Sequence, residues 1–225
     1  MRRFLRDGGL TWAFLSIFVI TIVAQSFVGL AYTNQELAEH GRAPLGYGEF
    51  VTSSDFLVDV AENWQSEFLQ FFLFILATVW LIQRGSPESK KPGDEGLGSE
   101  ADQYIAEHAR EDSPRWARLR GMRLWIYSNS LLLAMGSIFA LSWFAQSLAG
   151  HLVTNDENAR HGLPPESWAE YIVSPDFWNR TLQNWQSEFL AVGAMVAFSI
   201  YLRQRGSSES KPVGVPHHIS SEESE

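Results

Sequence analysis

A long apolar run near the amino terminus constrains this chain more than any other feature of its sequence. Leu10–Ala31 reads LTWAFLSIFVITIVAQSFVGLA and carries no formal charge. A helix of about 20 such residues crosses the roughly 30 Å hydrocarbon layer of a membrane. A second long run covers Leu124–Val153, and shorter runs cover Phe68–Ile82 and Phe189–Leu202. The sequence therefore predicts an all-α membrane protein with four transmembrane helices.

Two phrases of the sequence occur twice at a constant offset. NWQSEFL stands at Asn63–Leu69 and Asn184–Leu190, and QRGSPESK at Gln83–Lys90 recurs as QRGSSESK at Gln204–Lys211. No gap is needed to align the two halves, which indicates an internal duplication of a two-helix unit. A cleaved signal peptide is the alternative for the first run, but its counterpart lies in mid-chain, where no signal peptide is expected.

The duplication divides the chain into four predicted segments. Residues 1–92 form the first two-helix transmembrane repeat, and residues 93–118 form a polar linker. Residues 119–212 form the second repeat, and residues 213–225 form an acidic tail that we expect to be disordered because it is rich in Ser and Glu.

The distribution of charge predicts the topology. Only Arg42, Arg160 and Arg180, of 17 Lys and Arg residues, lie between the apolar runs of each hairpin. The rest lie at the termini and in the linker, so both termini and the linker are predicted to be cytoplasmic. The hairpins then have the same orientation and form two parallel tandem repeats. We expect a multi-pass protein of the inner (plasma) membrane, with the lipid bilayer as its first partner.

Several repeated residues are predicted to mark helix ends. Gly41 and Gly162 are expected in the left-handed conformation that ends a helix. Ser53 and Ser174 are expected as N-caps of the second and fourth long helices.

Two Glu–His pairs are candidates for a metal site. Glu36 and His40, like Glu157 and His161, are four residues apart and share a helix face. One interpretation is a carboxylate–imidazole half-site in each repeat. The other, which the spacing favours because it supplies no further ligand, is a contact that stabilises the end of the helix.

A layer of polar residues is predicted inside the outer half of the membrane. Counting along the helices places the glutamate of each NWQSEFL phrase several ångströms below the outer boundary. The candidate ligand- or ion-binding residues in this layer are Glu67, Glu188, Gln25, Gln146, Asn63 and Asn184. A carboxylate at that depth must be paired, protonated or hydrated. The layer therefore either binds an ion or a small polar ligand, or locks the helices together by hydrogen bonds.

Some functional classes are disfavoured. The chain contains no GxxxxGK[ST], HExxH or GxSxG motif, and no Cys. We predict no catalytic residue and no cofactor, and activity as an enzyme is the less favoured interpretation. The basic residues are concentrated near membrane ends, so no nucleic-acid partner is expected.

The tandem NWQSEFL and QRGSxESK motifs resemble those of a family of uncharacterised bacterial integral membrane proteins, a domain of unknown function. The resemblance covers about Leu10 to Lys211 and implies a bacterial inner-membrane location, without an activity. Three functions therefore stay open. They are a membrane protein with a polar binding or locking layer, a structural or accessory subunit that docks a membrane partner or a second copy, and a metalloenzyme that uses the Glu–His pairs.

Overall fold

The computed structural model describes residues 2–220 and the side chains from residue 5 onward, and this part of the chain is helical, with no β-strand. The linker contains two short 3₁₀ turns, at Ala106–His108 and Arg115–Arg118. The α-helices of the described residues are α1 (Arg2–Asp7), α2 (Gly9–Glu39), α3 (Tyr47–Val51), α4 (Ser54–Trp80), α5 (Met122–Ser128), α6 (Ser130–Arg160), α7 (Trp168–Tyr171) and α8 (Pro175–Tyr201).

The long helices occur as two matched pairs. Helices α2 and α6 are each 31 residues long, and α4 and α8 are each 27 residues long. In each pair the later helix begins 121 residues after the earlier one, at Ser130 against Gly9 and at Pro175 against Ser54. The helix boundaries thus follow the same constant offset as the sequence motifs.

Two helices, α2 and α6, are long and apolar enough to cross a membrane. Helices α4 and α8 are also long, but their first halves carry charged residues, four acids in α4 and Asp176, Arg180 and Glu188 in α8. The structure of the described residues therefore contains two of the four helices expected from the sequence as candidate membrane spans.

The chain forms two compact units. The first consists of Met1–Val60 and Ala145–Glu170, and the second consists of Ala61–Phe144 and Tyr171–Glu225. Helices α4 and α6 each contribute to both units.

In the first unit, one asparagine in each repeat holds the loop that follows the long helix. Asn34 accepts a hydrogen bond from the backbone N–H of Leu45 at 2.7 Å and donates one to its carbonyl at 3.1 Å. Asn155 makes the same two bonds with Glu166, at 2.8 and 3.0 Å. Both loops therefore have their backbone polar groups satisfied by an equivalent amide.

The predicted helix ends are confirmed. Gly41 and Gly162 have φ of +66° and +68°, in the left-handed region. The hydroxyl of Ser174 accepts a hydrogen bond from Phe177 N at 3.2 Å, and that of Ser53 accepts one from Phe56 N at 3.3 Å. These residues determine where each long helix ends and where the next one begins.

Aromatic side chains dominate the second unit. Trp143 of α6 packs against Phe177, Trp178 and Trp185 of α8, with ring centroids 6.0 to 6.1 Å apart. Gly136 of α6 faces Phe72 of α4 so closely that an added Cβ would lie 2.9 Å from the ring. Large rings on one helix thus meet small residues or rings on the next, which is how helices pack without voids.

The two QRGSxESK segments fold alike in the second unit. Gln83 N donates to Ser89 Oγ at 2.8 Å, and Gln204 N donates to Ser210 Oγ at 2.9 Å. Glycine is a typical helix-ending residue, but α4 ends before Gly85, at Trp80. The serine bond explains the difference, because it takes up a backbone N–H just beyond the helix and supports a non-helical turn.

Part of the segment predicted to be a disordered tail lies against this turn. Lys211 is buried, and its ammonium group donates to the carbonyls of Gly85, His217 at 3.0 Å and Ile219 at 2.9 Å. Burial, together with the charge of Arg203, lowers the pKa of Lys211. Residues 221–225 lie outside the described part of the chain.

Candidate functional site

An ion-pair network joins the two repeats in the second unit. Arg180 of α8 lies 3.2 Å from the carboxylate of Glu62 on α4 and 3.3 Å from that of Asp176, one turn earlier on its own helix. The side chain of Glu62 is 15% exposed and that of Arg180 is 37% exposed. Burial lowers the pKa of Arg180, but Glu62 and Asp176 outweigh it and leave the pKa above its ordinary value.

A buried hydrogen bond lies one turn further along α4. Gln65 is fully buried, and its Oε1 accepts a hydrogen bond from the indole N–H of Trp185 at 2.7 Å. Its amide nitrogen has no hydrogen-bond partner among the described residues. Because Trp185 also packs against Trp143, this bond fixes the polar edge of the aromatic cluster.

The candidate ligand- or ion-binding residues are divided between the units. Glu67, Glu188, Asn63 and Asn184 belong to the second unit, and Gln25 and Gln146 to the first. Glu67 is exposed and Glu188 is half-buried, and their carboxylates interact electrostatically with each other. Neither glutamate forms an ion pair with a basic residue in the described part of the chain.

The amides of the predicted layer have different surroundings. Asn184 donates to the carbonyl of Arg180 at 3.1 Å, within its own helix, and Asn63 is exposed. Gln25 is half-buried and Gln146 is fully buried. The structure thus places the two glutamates in the same unit, and it places Asn184 against the helix backbone.

The candidate metal ligands lie at the exposed ends of α2 and α6 in the first unit. His40 Nδ1 lies 2.8 Å from the backbone carbonyl of Glu36, whose carboxylate accepts a hydrogen bond from Tyr32 at 3.2 Å. Glu157 and His161 are joined by a backbone bond of 3.1 Å. Among residues 2–220 the structure contains no group of three or more His, Cys, Asp and Glu that are placed to hold a metal. The contacts of His40 are those of a helix-terminal histidine.

A cavity of about 220 Å³ lies beside the Glu36–His40 pair in the first unit. Its polar lining residues are Thr33, Glu36, His40, Arg42, Asp55 and Arg160. It contains two of the three basic residues that lie between the apolar runs of the two hairpins.

Sequence reasoning missed the Arg180 network, the Gln65–Trp185 bond and this cavity. A signal was present for the first of these. Alignment of the repeats pairs Arg180 with Asp59 and Glu62 with Gln183, so the charge differs between the copies at both positions. Such differences mark places where the two repeats make different contacts.

Comparison with known proteins provides one match. No curated protein and no solved structure is similar enough to this chain to be matched with it. A family model described as a domain of unknown function (DUF6766) matches residues 1–222, nearly the whole length. The chain therefore belongs to the family of uncharacterised proteins that carry this domain.

Proposed function

We propose that this chain is a multi-pass protein of the bacterial inner membrane with four transmembrane helices in two parallel hairpins. The lengths of α2 and α6 support spanning, as does the exposure of their apolar side chains, with Ile20 66% and Val28 69% exposed. Such side chains are stable in lipid and costly in water. The concentration of basic residues at the termini and linker supports cytoplasmic termini.

Reporter fusions test this topology. A reporter that works only in the cytoplasm is expected to be active when it is placed after Lys211 or in the linker. A reporter that works only outside the cytoplasm is expected to be active when it is inserted near Pro44 or Pro165. The prediction fails if the linker and the hairpin loops report the same side of the membrane.

The proposed activity is the binding of a monovalent cation or a proton between Glu67 and Glu188. One observation carries it: Glu67 and Glu188 stand at equivalent positions of the two repeats and belong to the same unit, and no basic residue of the described chain is ion-paired with either. Two like charges at membrane depth are unfavourable when both are ionised. A bound cation or proton removes this repulsion, with Asn63 and Asn184 as neighbouring amides. This is a binding function without catalysis.

Ion-dependent stability tests this proposal. The melting temperature of the purified protein in detergent is measured in Na⁺, K⁺ or a large organic cation, at pH 6 and pH 8. We expect a small alkali cation or acid to raise it in the native chain but not in the Glu67→Gln/Glu188→Gln variant. Glu39→Gln, at an exposed helix end, is the matched control and should respond like the native chain. An equal response of the native chain and the double variant contradicts the proposal.

A structural or accessory role is the second candidate, and the contacts between α4 and α8 favour it. Glu62–Arg180 and Gln65–Trp185 join helices of different repeats and leave few polar groups for a ligand. Exposed Glu67 then lies on a surface that a second copy or a membrane partner covers. Crosslinking from a cysteine introduced at Asn63, in native membranes, distinguishes this role, because it captures a neighbour only if that face is an interface.

A further inference from the structure

The cavity in the first unit is lined by four charged side chains that take no part in the proposed cation site. Glu36, Arg42, Asp55 and Arg160 line it, and none of them forms an ion pair among the described residues. Of these four side chains, only the carboxylate of Glu36 has a side-chain hydrogen-bond partner among the described residues, the hydroxyl of Tyr32. Two positive and two negative groups therefore surround one small space without neutralising one another.

The second repeat shows how such a charge is normally satisfied. Asp176, the counterpart of Asp55, pairs with Arg180 one turn later at 3.3 Å. The residue one turn after Asp55 is Asp59, which cannot make that pair. Likewise Arg42 aligns with Leu163, so the second repeat does not reproduce the basic half of the cavity. The arrangement is specific to the first repeat.

The lining dictates the charge of a ligand. A simple anion would meet Glu36 and Asp55, and a simple cation would meet Arg42 and Arg160. A molecule that carries both charges satisfies all four groups. Two guanidinium groups and the neighbouring His40 offer more donors than the two oxygens of a carboxylate can accept, which favours the three or four oxygens of a phosphate. Glu36 and Asp55 are then acceptors for an ammonium group.

We propose that this cavity binds a small zwitterion composed of a phosphate and a primary amine, of the phosphoethanolamine class. A volume of about 220 Å³ accommodates a molecule of that size with a few waters. The phosphate lies on Arg42 and Arg160, and the ammonium group on Asp55 and Glu36. Under the proposed topology the cavity faces the outer side, so the same group is available from a lipid headgroup or from a free metabolite.

Binding of defined probes tests the chemistry. Calorimetry with the full-length protein in detergent uses O-phosphoethanolamine, phosphocholine and inorganic phosphate. Phosphoethanolamine is expected to bind about tenfold or more tightly than phosphocholine, which has the same phosphate but no N–H donor, and than phosphate alone. The protein is also compared in nanodiscs of phosphatidylethanolamine and in nanodiscs of phosphatidylcholine. Weaker binding of free O-phosphoethanolamine in the phosphatidylethanolamine nanodiscs would show that the lipid headgroup occupies the site.

Variants assign the binding to this cavity. Arg42→Leu, which introduces the residue found in the second repeat, and Arg160→Gln are each expected to weaken phosphoethanolamine binding about tenfold or more. Asp59→Arg is expected to pair with Asp55, as Arg180 does with Asp176, and to remove the preference for the amine while phosphate binding persists. Arg84→Leu, in the exposed exit segment, is the control for loss of a positive charge and should bind normally.

Folding of each variant is checked by helicity and by elution as a single species, and Arg42→Gln replaces Arg42→Leu if the latter misfolds. The proposal is overturned if neither O-phosphoethanolamine nor phosphatidylethanolamine in nanodiscs binds saturably. It is also overturned if phosphate and phosphocholine bind as tightly as phosphoethanolamine, or if Arg42 and Arg160 variants bind like the native chain.

Discussion

The loop-bearing ends of the two repeats share a scaffold and differ in charge. Ser53 and Ser174 cap equivalent helices, and Asn34 and Asn155 hold equivalent loops. In the second repeat Asp176 is paired with Arg180, which also binds Glu62; Asp55 in the first repeat has no ion pair among the described residues and lines a cavity. Equivalent backbone positions therefore carry a closed ion-pair network in the second repeat and line an open, charged cavity in the first.

Several residues that are identical in the two repeats fix the backbone. Glu49 and Glu170 illustrate this, because each accepts a hydrogen bond at 2.7 Å from the backbone three residues earlier. The bond from the backbone N–H of Ser167, with that from the Ser167 hydroxyl, lowers the pKa of Glu170. We infer that positions where the repeats differ mark contacts made by one repeat alone, and the following predictions test that comparison.

The largest expected effect is at Gly85, whose counterpart Gly206 serves as the control. Both have φ of +85°, so an alanine at either site is strained by about 1–2 kcal/mol. A Cβ at Gly85 would lie 2.1 Å from the carbonyl of His217, whereas one at Gly206 would meet nothing within 4 Å. Gly85→Ala should therefore lower the free energy of unfolding by roughly a further 1–3 kcal/mol, because the turn that holds Lys211 must move.

Thermal unfolding in detergent measures this difference. About 2–4 °C of melting temperature per kcal/mol is expected for a chain of this size. Equal melting temperatures for Gly85→Ala and Gly206→Ala would show that the segment after Lys211 does not pack against Gly85 in the folded protein.

The next effect concerns the closed network. Arg180→Gln removes the ion pair with the mostly buried carboxylate of Glu62, and we expect a loss of about 1–2 kcal/mol, reduced from the value for a fully buried pair by the exposure of Arg180. The double variant Arg180→Gln/Glu62→Gln should recover part of that loss, because the buried negative charge is removed together with the positive one. A double-mutant cycle with no coupling energy would mean that the pair does not join the repeats.

Much of the scaffold was predictable from the sequence, because it depends on local signals. The caps at Ser53 and Ser174 and the left-handed glycines, Gly41 and Gly162, follow from residue type and position alone. The linker was not: Ser99 is of a residue type that caps helices, but it bonds to Asp102 at 2.6 Å in a turn. Positive φ at Tyr104 and Ala106 is incompatible with a continuous α-helix there.

The candidate sites were only partly predictable, for a different physical reason. Depth along a helix identified Glu67 and Glu188, but the side on which each carboxylate lies depends on how the helices pack. The pairing of Arg180 with Glu62 joins residues more than 100 positions apart, and the cavity combines Arg42, Asp55 and Arg160 from three segments. Spacing within one segment contains no information about such contacts.

A smaller effect is expected at the helix caps. Ser53→Ala should destabilise the protein by about 1 kcal/mol, because the N–H of Phe56 loses its acceptor. Ser174→Ala should cost somewhat less, since Pro175 follows it, fixes the first helical residue and has no N–H of its own. Chemical unfolding of the two variants measures the difference, and a larger loss for Ser174→Ala would contradict the role given to Pro175.

The smallest effect depends on pH and involves the glutamates of the two exit segments. Burial of Glu88, followed by its hydrogen bond to Glu209 and the charge of that residue, raises the pKa of Glu88 above its ordinary value of 4.5. The folded protein therefore holds this proton more strongly than the unfolded chain does. The resulting stability is fully present below pH 4.5 and is lost as pH rises through the higher folded value.

Glu88→Gln should remove this dependence and slightly stabilise the protein at pH 7, where the native pair repels. The melting temperatures of Glu88→Gln and the native chain from pH 4 to pH 8 test it, with Glu100→Gln in the linker as the control; parallel curves would show that Glu88 and Glu209 do not interact, and a convergence of the Glu88→Gln and native curves at acid pH would establish that they do.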